Sequence, residues 1–235
     1  MRKIFLAPTL LALFLFWTLP AYSQAELKSD PGKLIEEKTN QVLELLSDTK
    51  FHSDDRYDTL TQKLRHIIEP AFAFEEMTLR SLGSHARGIE KEQLDELVKL
   101  YKTLLENMYV DRFTRSLIEN PGDTFIPKIT MIGEELKGNY AQISTEARVD
   151  NDGEKMKFKI NYRLVKRNKN WRIYDLEIEG NSLIQNYRSQ FNEILTNYPI
   201  EELIKRLREK IKNFQDDPGK IQRDDTIVPL TEKKE

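Results

Sequence analysis

Few side chains in this 235-residue sequence have the type and spacing that catalysis requires. The histidines are His52, His66 and His85, and they are too far apart to form a helical or hairpin pair of metal ligands. The sequence also contains no glycine-rich loop that could bind a phosphate and no nucleophile elbow. These observations indicate that the protein is not an enzyme.

Two carboxylates remain as candidates for acid–base chemistry. Asp175 and Glu177 alternate along a predicted strand, and this alternation places both on the side that also carries Trp171. An enclosed carboxylate there could act as a general base. Solvation, or a salt bridge to lysines of a neighbouring strand, is the simpler interpretation. A small-molecule enzyme therefore stays open as an alternative.

Aromatic and methionine side chains form a larger candidate set, which could build a binding surface. They occur in predicted helices and on one side of a predicted sheet. Judged by residue type and spacing alone, such stripes more often form an ordinary hydrophobic core. A docking module with a closed core is thus a further possibility.

Helical periodicity predicts where these side chains are positioned in the first half of the chain. Asp30 and Pro31 favour a helix start, and Pro70 ends a second helix. The helices predicted here cover 34–46, 57–68 and 94–117, and 72–82 is predicted as a short aromatic helix or turn. Near the end of the chain, Pro199 opens another helix over 200–214.

From Phe125 the period of the pattern changes to two, which predicts four strands joined by short turns. These strands cover 126–136, 140–150, 155–165 and 171–178. In the third strand, apolar residues from Met156 to Leu164 alternate with polar ones from Lys155 to Arg163, so one face is apolar and the other is solvent-exposed. Helices before and after an antiparallel sheet predict an α+β fold.

The fourth strand leads directly into a helix. Gly180 allows a turn, and Ser182 followed by Gln185 is a capping-box pattern, which predicts a helix from about Leu183. Apolar residues then recur at steps of three and four, so this helix can pack on the sheet.

The N-terminal residues 1–23 have the pattern of a cleaved signal peptide, with two basic residues, an apolar run and small residues before Gln24. An uncleaved anchor is the alternative. Loss of this segment would take the net charge from −2 to −4, which argues against nucleic acid as a partner. We expect one domain over 24–214 without disulfides, since the sequence has no cysteine, and a disordered polar tail over 215–235.

Three segments resemble the MlaC family of periplasmic phospholipid-binding proteins, also called toluene-tolerance auxiliary proteins. One is AFAFEEMTLRSLG at 71–83, and another is the aromatic helix that ends at Tyr109. The third carries the signature residues Trp171, Tyr174, Asp175, Ile178, Glu179, Gly180, Ser182, Leu183, Asn186, Tyr187, Arg188, Ser189, Gln190 and Phe191. The resemblance covers roughly residues 34–214.

The resemblance implies an NTF2-like fold, in which a curved antiparallel sheet of about four strands and its helices enclose a hydrophobic pocket. The pocket takes the acyl chains of a phospholipid, and its volume is expected near the upper range for ligand cavities, ~1,000 Å³. The family implies a monomeric periplasmic shuttle between an outer-membrane lipoprotein–porin complex and an inner-membrane ABC-type transporter, which maintains outer-membrane lipid asymmetry. It implies no cofactor besides the lipid cargo, and a hopanoid is an alternative cargo.

By the same resemblance, the apolar set is expected to contact lipid. Its members are Phe72, Phe74, Met77, Tyr101, Leu105, Met108, Tyr109, Phe113, Phe158, Ile160, Tyr162, Trp171, Tyr174 and Tyr187. Arg188 could contact a lipid headgroup or a partner, or pair with Asp175 or Glu179. The cations Lys155, Lys157, Lys159 and Arg163 could dock an acidic partner or form a solvated sheet face.

Overall fold

Six helices and one antiparallel sheet form the part of the chain that the computed structural model describes, which is residues 30–48, 56–111, 114–115, 127–151 and 154–216. The predicted signal peptide, Phe113 and the chain from residue 217 onward lie outside these ranges.

The first half of the chain is helical, as its periodicity predicts. The helices are α1 (Pro31–Ser47), α2 (Tyr57–Ile68), α3 (Phe74–Leu82) and α4 (Lys91–Leu105). Short 3₁₀ turns follow α2 and α3, and α4 continues as a π-helix over Glu106–Asp111. The start of α1 is fixed locally, because the Asp30 side chain accepts a hydrogen bond of 2.9 Å from the backbone N–H of Gly32.

The sheet has five strands in sequence order, and each pairs antiparallel with the next. They are β1 (Lys128–Lys137), β2 (Tyr140–Asn151), β3 (Glu154–Arg167), β4 (Asn170–Ile178) and β5 (Asn181–Ser182). Four of them match the predicted strands, and the short β5 is additional. Gly138, at φ +59°, adopts the left-handed conformation that the tight β1–β2 turn needs.

Two helices complete the fold, α5 (Leu183–Asn197) and α6 (Ile200–Asp216). Ser182 caps α5 by accepting a hydrogen bond of 3.1 Å from the backbone N–H of Gln185, so the predicted helix start is confirmed. Helix α6 extends to Asp216, slightly past the predicted end of the domain.

The apolar side chains form two main clusters. One lies among α3, α4, α5 and α6, and Tyr101 and Phe191 are fully buried in it. The other lies between α1 and the sheet, where Ile35 packs with Ile143, Leu164 and other sheet residues. The α+β prediction is confirmed.

A β-bulge in the β3–β4 pair decides which face each β4 residue occupies. Arg163 pairs with Asp175, and the next pair is Leu164 with Ile173, so Tyr174 is an extra residue in β4. Trp171 therefore lies on the same face as Leu164 and Ile173, while Asp175 lies on the opposite face. The prediction that Trp171 shares a side with Asp175 and Glu177 is wrong, because the bulge shifts the alternation by one residue.

Candidate functional site

A cavity of about 630 Å³ lies between the helices and one end of the sheet. Thirteen of its sixteen lining residues are apolar. The apolar ones are Val42, Leu64, Ile68, Phe72, Phe74, Met77, Leu105, Tyr109, Val110, Phe158, Leu176, Ile178 and Leu183, and the polar ones are Glu106, Glu179 and Asn181. Such a lining suits a long apolar ligand.

Regular spacing within each element directs these side chains to one place. Leu64 and Ile68 are four residues apart in α2, and Leu176 and Ile178 are two apart in β4, so each pair shares a face. Phe72 is held at the wall because its neighbour Ala73 donates a backbone hydrogen bond of 2.8 Å to Ile173. The ring of Phe72 stacks on that of Phe74 with centroids 5.8 Å apart.

The cavity is deep on the helical side and open at the end of the sheet. Met77 and Leu64 are almost completely buried. Phe158 is 36% exposed and Ile178 is 45% exposed, and Glu179 beside them is also exposed. These exposed side chains mark the mouth of the cavity. We call the mouth residues Phe158, Ile178 and Glu179 the mouth rim.

The π-helix supplies a second part of the wall. Glu106, Tyr109 and Val110 all belong to it and all line the cavity. Interruptions of this kind in an α-helix re-aim the side chains that follow and often occur at functional sites. Of these three residues, Glu106 is the one that places a carboxylate in the wall.

Glu106 is a carboxylate in largely apolar surroundings. Burial raises its pKa above the ordinary value, and Lys102 and Arg65 oppose that shift only in part. The Glu106 carboxylate lies 3.7 Å from the Lys102 amine and 3.9 Å from the Arg65 guanidinium. Arg65 also forms an ion pair of 2.7 Å with Asp111, which ties α2 to the end of the π-helix.

A buried polar network holds the strand-to-helix segment that forms the mouth. Arg163 donates to Asp175 at 2.7 Å and also to Glu177. Asp175 further accepts from the Ser182 hydroxyl at 2.7 Å and from the backbone N–H of Ile184 at 3.0 Å. We call these five residues the Arg163 network.

The Arg163 network and the cavity use alternate residues of one segment. Leu176, Ile178 and Leu183 line the cavity, whereas Asp175 and Glu177 bind Arg163. The carboxylates that could have been a general base are therefore paired with an arginine on the face away from the cavity. Arg163 is correspondingly not part of a solvated row with the lysines of β3.

Six of the apolar residues singled out by sequence line the cavity. They are Phe72, Phe74, Met77, Leu105, Tyr109 and Phe158.

The other described members of that set are absent from the lining. Tyr101, Met108 and Tyr187 are buried in the helical cluster, and Tyr101 contacts Tyr187 edge to face at 4.9 Å. Tyr162 and Trp171 pack in the cluster between α1 and the sheet, and Ile160 lies half-buried in β3. Tyr174 is half-buried beneath the Arg80 guanidinium, 4.1 Å from its ring centroid. Phe113 lies outside the described residues.

Ten lining residues were not among the sequence candidates. The sequence pattern could have identified six of them as lining residues, because they belong to apolar stripes or lie next to the helix cap. These six are Val42, Leu64, Ile68, Leu176, Ile178 and Leu183. Val110 follows Tyr109 and could have been added on the same ground. Glu106, Glu179 and Asn181 are polar and gave no signal of a wall position.

Arg188 lies apart from the large cavity. It lines a smaller cavity of about 240 Å³ with Leu82, Ser84, Ser189 and Asn192. Its guanidinium lies against Gly83, where an added Cβ would be 2.9 Å from Nε. Asp175, one of the partners proposed for Arg188 from sequence, pairs instead with Arg163.

Two further findings concern only the residues that the structure describes. They include no group of three or more histidine, aspartate or glutamate side chains arranged to hold a metal ion. None of the helices among them is long and apolar enough to cross a membrane.

Comparisons with known proteins identify the family. The family model described as MlaC protein matches residues 36–209. Among solved structures, a phospholipid-binding protein from Ralstonia solanacearum in complex with a phospholipid is similar, with a TM-score of 0.63 and 19% identity over 79% of this chain and 99% of that one. A comparison with curated proteins found no match. Since the family model spans well over half of the sequence, this chain belongs to the MlaC family.

Proposed function

We propose that this protein is a periplasmic lipid carrier that holds the acyl chains of a phospholipid in the large cavity. The observation that carries the proposal is the lining itself, in which thirteen of sixteen residues are apolar. The similar protein from Ralstonia solanacearum was solved in complex with a phospholipid, which supports the same ligand class here. The predicted signal peptide and the family support a periplasmic location.

The cavity volume sets how much lipid can be enclosed. A methylene group takes about the volume of a water molecule in the liquid, ~30 Å³. On that basis the cavity of about 630 Å³ holds one acyl chain of about fifteen methylenes and part of a second. Full enclosure of a two-chain phospholipid would require the mouth to widen, because the volume is below the ~1,000 Å³ expected from sequence.

The energetics explain why a carrier is needed. Each methylene removed from water contributes ~0.8 kcal/mol, so two chains of about fifteen methylenes represent ~24 kcal/mol. A phospholipid cannot leave a bilayer for water at a useful rate against that cost. A cavity with an apolar wall and few polar anchors lowers the cost and still allows release, since it adds little headgroup-specific affinity.

Six predicted residues are proposed as direct acyl-chain contacts, namely Phe72, Phe74, Met77, Leu105, Tyr109 and Phe158. The unpredicted apolar lining residues of α1, α2, β4 and the π-helix join them. Tyr101, Tyr187 and those other residues of the packed clusters that are absent from the lining are proposed to support the wall from behind.

The proposed role is transport without catalysis. The carrier would exchange lipid with an outer-membrane lipoprotein–porin complex and an inner-membrane ABC-type transporter, and so maintain outer-membrane lipid asymmetry. The transporter would supply the energy, because the carrier needs only to bind and release. The family supports this assignment of partners.

Mass spectrometry of bound lipid tests the proposal. The mature protein, purified from a Gram-negative host and extracted with organic solvent, should yield phospholipid in near-stoichiometric amount. An extract without lipid would refute phospholipid carriage. Hopanoid in the extract in place of phospholipid would identify hopanoid as the cargo.

A matched pair of variants locates the ligand. Phe158→Glu places a charge on the mouth rim and should lower phospholipid occupancy. Tyr198→Glu is the control, because Tyr198 is also an exposed aromatic residue, at 51%, and is absent from the lining. Equal occupancy in the two variants would mean that the acyl chains bind elsewhere.

A further inference from the structure

Three cations form a row across the strands β1, β2 and β3. Lys128 pairs with Arg148 in the β1–β2 register, and Arg148 pairs with Lys157 in the β2–β3 register. Directly paired residues of adjacent strands project from the same face, so the three side chains are neighbours. Lys128 and Lys157 are exposed, and the Arg148 side chain is 56% exposed. We call these three residues the basic row.

The basic row lowers the stability of the sheet, and the fold does not need these three cations. Like charges directly opposite each other on neighbouring strands are destabilising. Glu146 offsets one charge through its ion pair with Arg148, and Lys159 adds another cation on the same face of β3. The described side chains of this face thus have an excess of positive charge, although the whole chain has a net charge of −2. Such segregation of charge marks a surface that meets an anionic partner.

The basic row adjoins the mouth of the cavity. Lys157 and Lys159 flank Phe158 in β3 and point to the opposite face from this lining residue. The backbone N–H of Glu179, on the mouth rim, donates a hydrogen bond of 3.0 Å to the backbone oxygen of Lys159. This hydrogen bond joins the mouth rim directly to the strand that bears Lys157 and Lys159.

Exposed apolar side chains lie at the same end. Phe158 is 36% exposed, Met156 is 37% exposed and Ile178 is 45% exposed. The cations and these apolar groups project from opposite faces of the sheet, but they lie at the same end of it, so a bilayer that meets this end contacts both kinds of group. Such an end suits the interface of an anionic bilayer, where cations meet phosphates and apolar groups enter the acyl region. An acidic protein surface would complement the cations but would leave these apolar groups without a matching environment.

We propose that the basic row docks the protein on an anionic phospholipid bilayer and turns the cavity mouth toward it. This inference goes beyond lipid carriage and does not depend on it, because vesicle binding and lipid occupancy are separate measurements. The anionic headgroups would bind Lys128, Arg148 and Lys157. The mouth rim would then face the lipids that the cavity takes up or releases.

Vesicle flotation of the full mature protein tests this inference. We expect binding to vesicles of phosphatidylglycerol mixed with phosphatidylcholine, and much weaker binding to phosphatidylcholine alone. The row variant, Lys128→Gln with Arg148→Gln and Lys157→Gln, should bind the anionic vesicles about a hundred-fold more weakly, at roughly five-fold for each cation. Added salt should weaken binding of the unmodified protein and have little effect on the row variant.

A second triple variant controls for net charge. Lys99→Gln, Lys205→Gln and Lys212→Gln remove the same charge from exposed helical positions and should leave vesicle binding unchanged. The row variant should also unfold at an equal or higher temperature than the unmodified protein, because repulsion between strands is removed. A lower temperature would contradict the argument that the row carries a cost.

Three outcomes would overturn the inference. They are equal binding to neutral and anionic vesicles, equal loss of binding in the two triple variants, and absence of binding to either vesicle. In the last case, row-dependent binding to polyglutamate would assign the surface to an acidic protein instead. Phospholipid found in the purified protein alongside any of these results would leave the proposed carrier function intact and reject only the docking surface.

Discussion

Asp175 should be the most sensitive single position in the segment that forms the cavity mouth. Its carboxylate is 3% exposed and accepts hydrogen bonds from Arg163, Ser182 and the backbone of Ile184. Replacement by asparagine keeps the size of the side chain and removes the charge. In either orientation of the amide, its NH2 group meets a donor where the carboxylate had an acceptor: Arg163 and Ser182 on one side, or the backbone N–H of Ile184 on the other.

The structure allows the loss to be estimated. Removal of one partner of a buried ion pair costs about 3–5 kcal/mol, because the other charge is left without compensation. The Arg163 side chain is 28% exposed, so water can compensate in part, and we place Asp175→Asn at the lower end, about 3 kcal/mol. For a domain of this size that corresponds to a fall in Tm of about 6–12 °C.

Urea unfolding followed by circular dichroism measures this loss. The control is Asp95→Asn, which makes the same chemical change in an exposed ion pair with Lys91. It should alter the unfolding free energy little, because water screens both charges. In a double-mutant cycle, Arg163→Met added to Asp175→Asn should cost less than it does alone, since the guanidinium has already lost its partner.

A loss below about 1 kcal/mol for Asp175→Asn would refute the reasoning, because it is within the range of exposed pairs. Additive losses in the double-mutant cycle would likewise show that Asp175 and Arg163 act independently. Lipid retention gives a further readout below the Tm of the variant. It should fall with Asp175→Asn and stay unchanged with Asp95→Asn, because only the first loosens the segment that bears Leu176 and Ile178.

Three other perturbations test the packing and electrostatics of the fold. The Phe191 side chain is 0% exposed, and its ring centroid lies 5.5 Å from that of Tyr101. Phe191→Ala should therefore lower the unfolding free energy measured in urea by about 3–5 kcal/mol. A loss under half of that would mean that the helical cluster can collapse around the gap. Gly83→Ala should lower Tm, because the backbone φ at Gly83 is +60° and the new Cβ would lie 2.9 Å from Arg188 Nε. Adding Arg188→Ala removes the contact but not the backbone strain, so it should recover only part of the loss in Tm. Full recovery would show that the backbone is unstrained. Burial raises the pKa of Glu106, so its favourable contribution is complete below the ordinary glutamate pKa and is lost as pH rises through the higher folded-state value. Unfolding measured across mildly acidic pH should therefore show the unmodified protein losing stability relative to Glu106→Gln as pH rises, and parallel curves would contradict the assigned shift.

Local sequence signals predicted the elements well, because each depends on a few neighbouring residues. Asp30 with Pro31, and Ser182 with Gln185, fix helix starts through hydrogen bonds that close within one turn. Alternation of apolar and polar residues located four of the five strands. The π-helix and the bulge at Tyr174 had no such signal, because each is an irregularity imposed by contacts with other elements.

The candidate site shows where prediction from residue type ends. Met77 and Tyr101 are both buried in the helical cluster, yet Met77 also lines the cavity and Tyr101 does not. The difference comes from what lies opposite each residue. Tyr187 and Phe191 of α5 fill the space beside Tyr101, whereas the described elements leave a gap beside Met77.

The sequence by itself determined which segments are helices and strands, which faces are apolar, and the resemblance to a lipid-binding family. Only the tertiary structure decided which apolar faces meet in a packed core and which enclose a cavity. The physical reason is that a side chain's preference for leaving water is a local property of its chemistry. Whether the space in front of it is filled depends on the distances between elements that are remote in sequence.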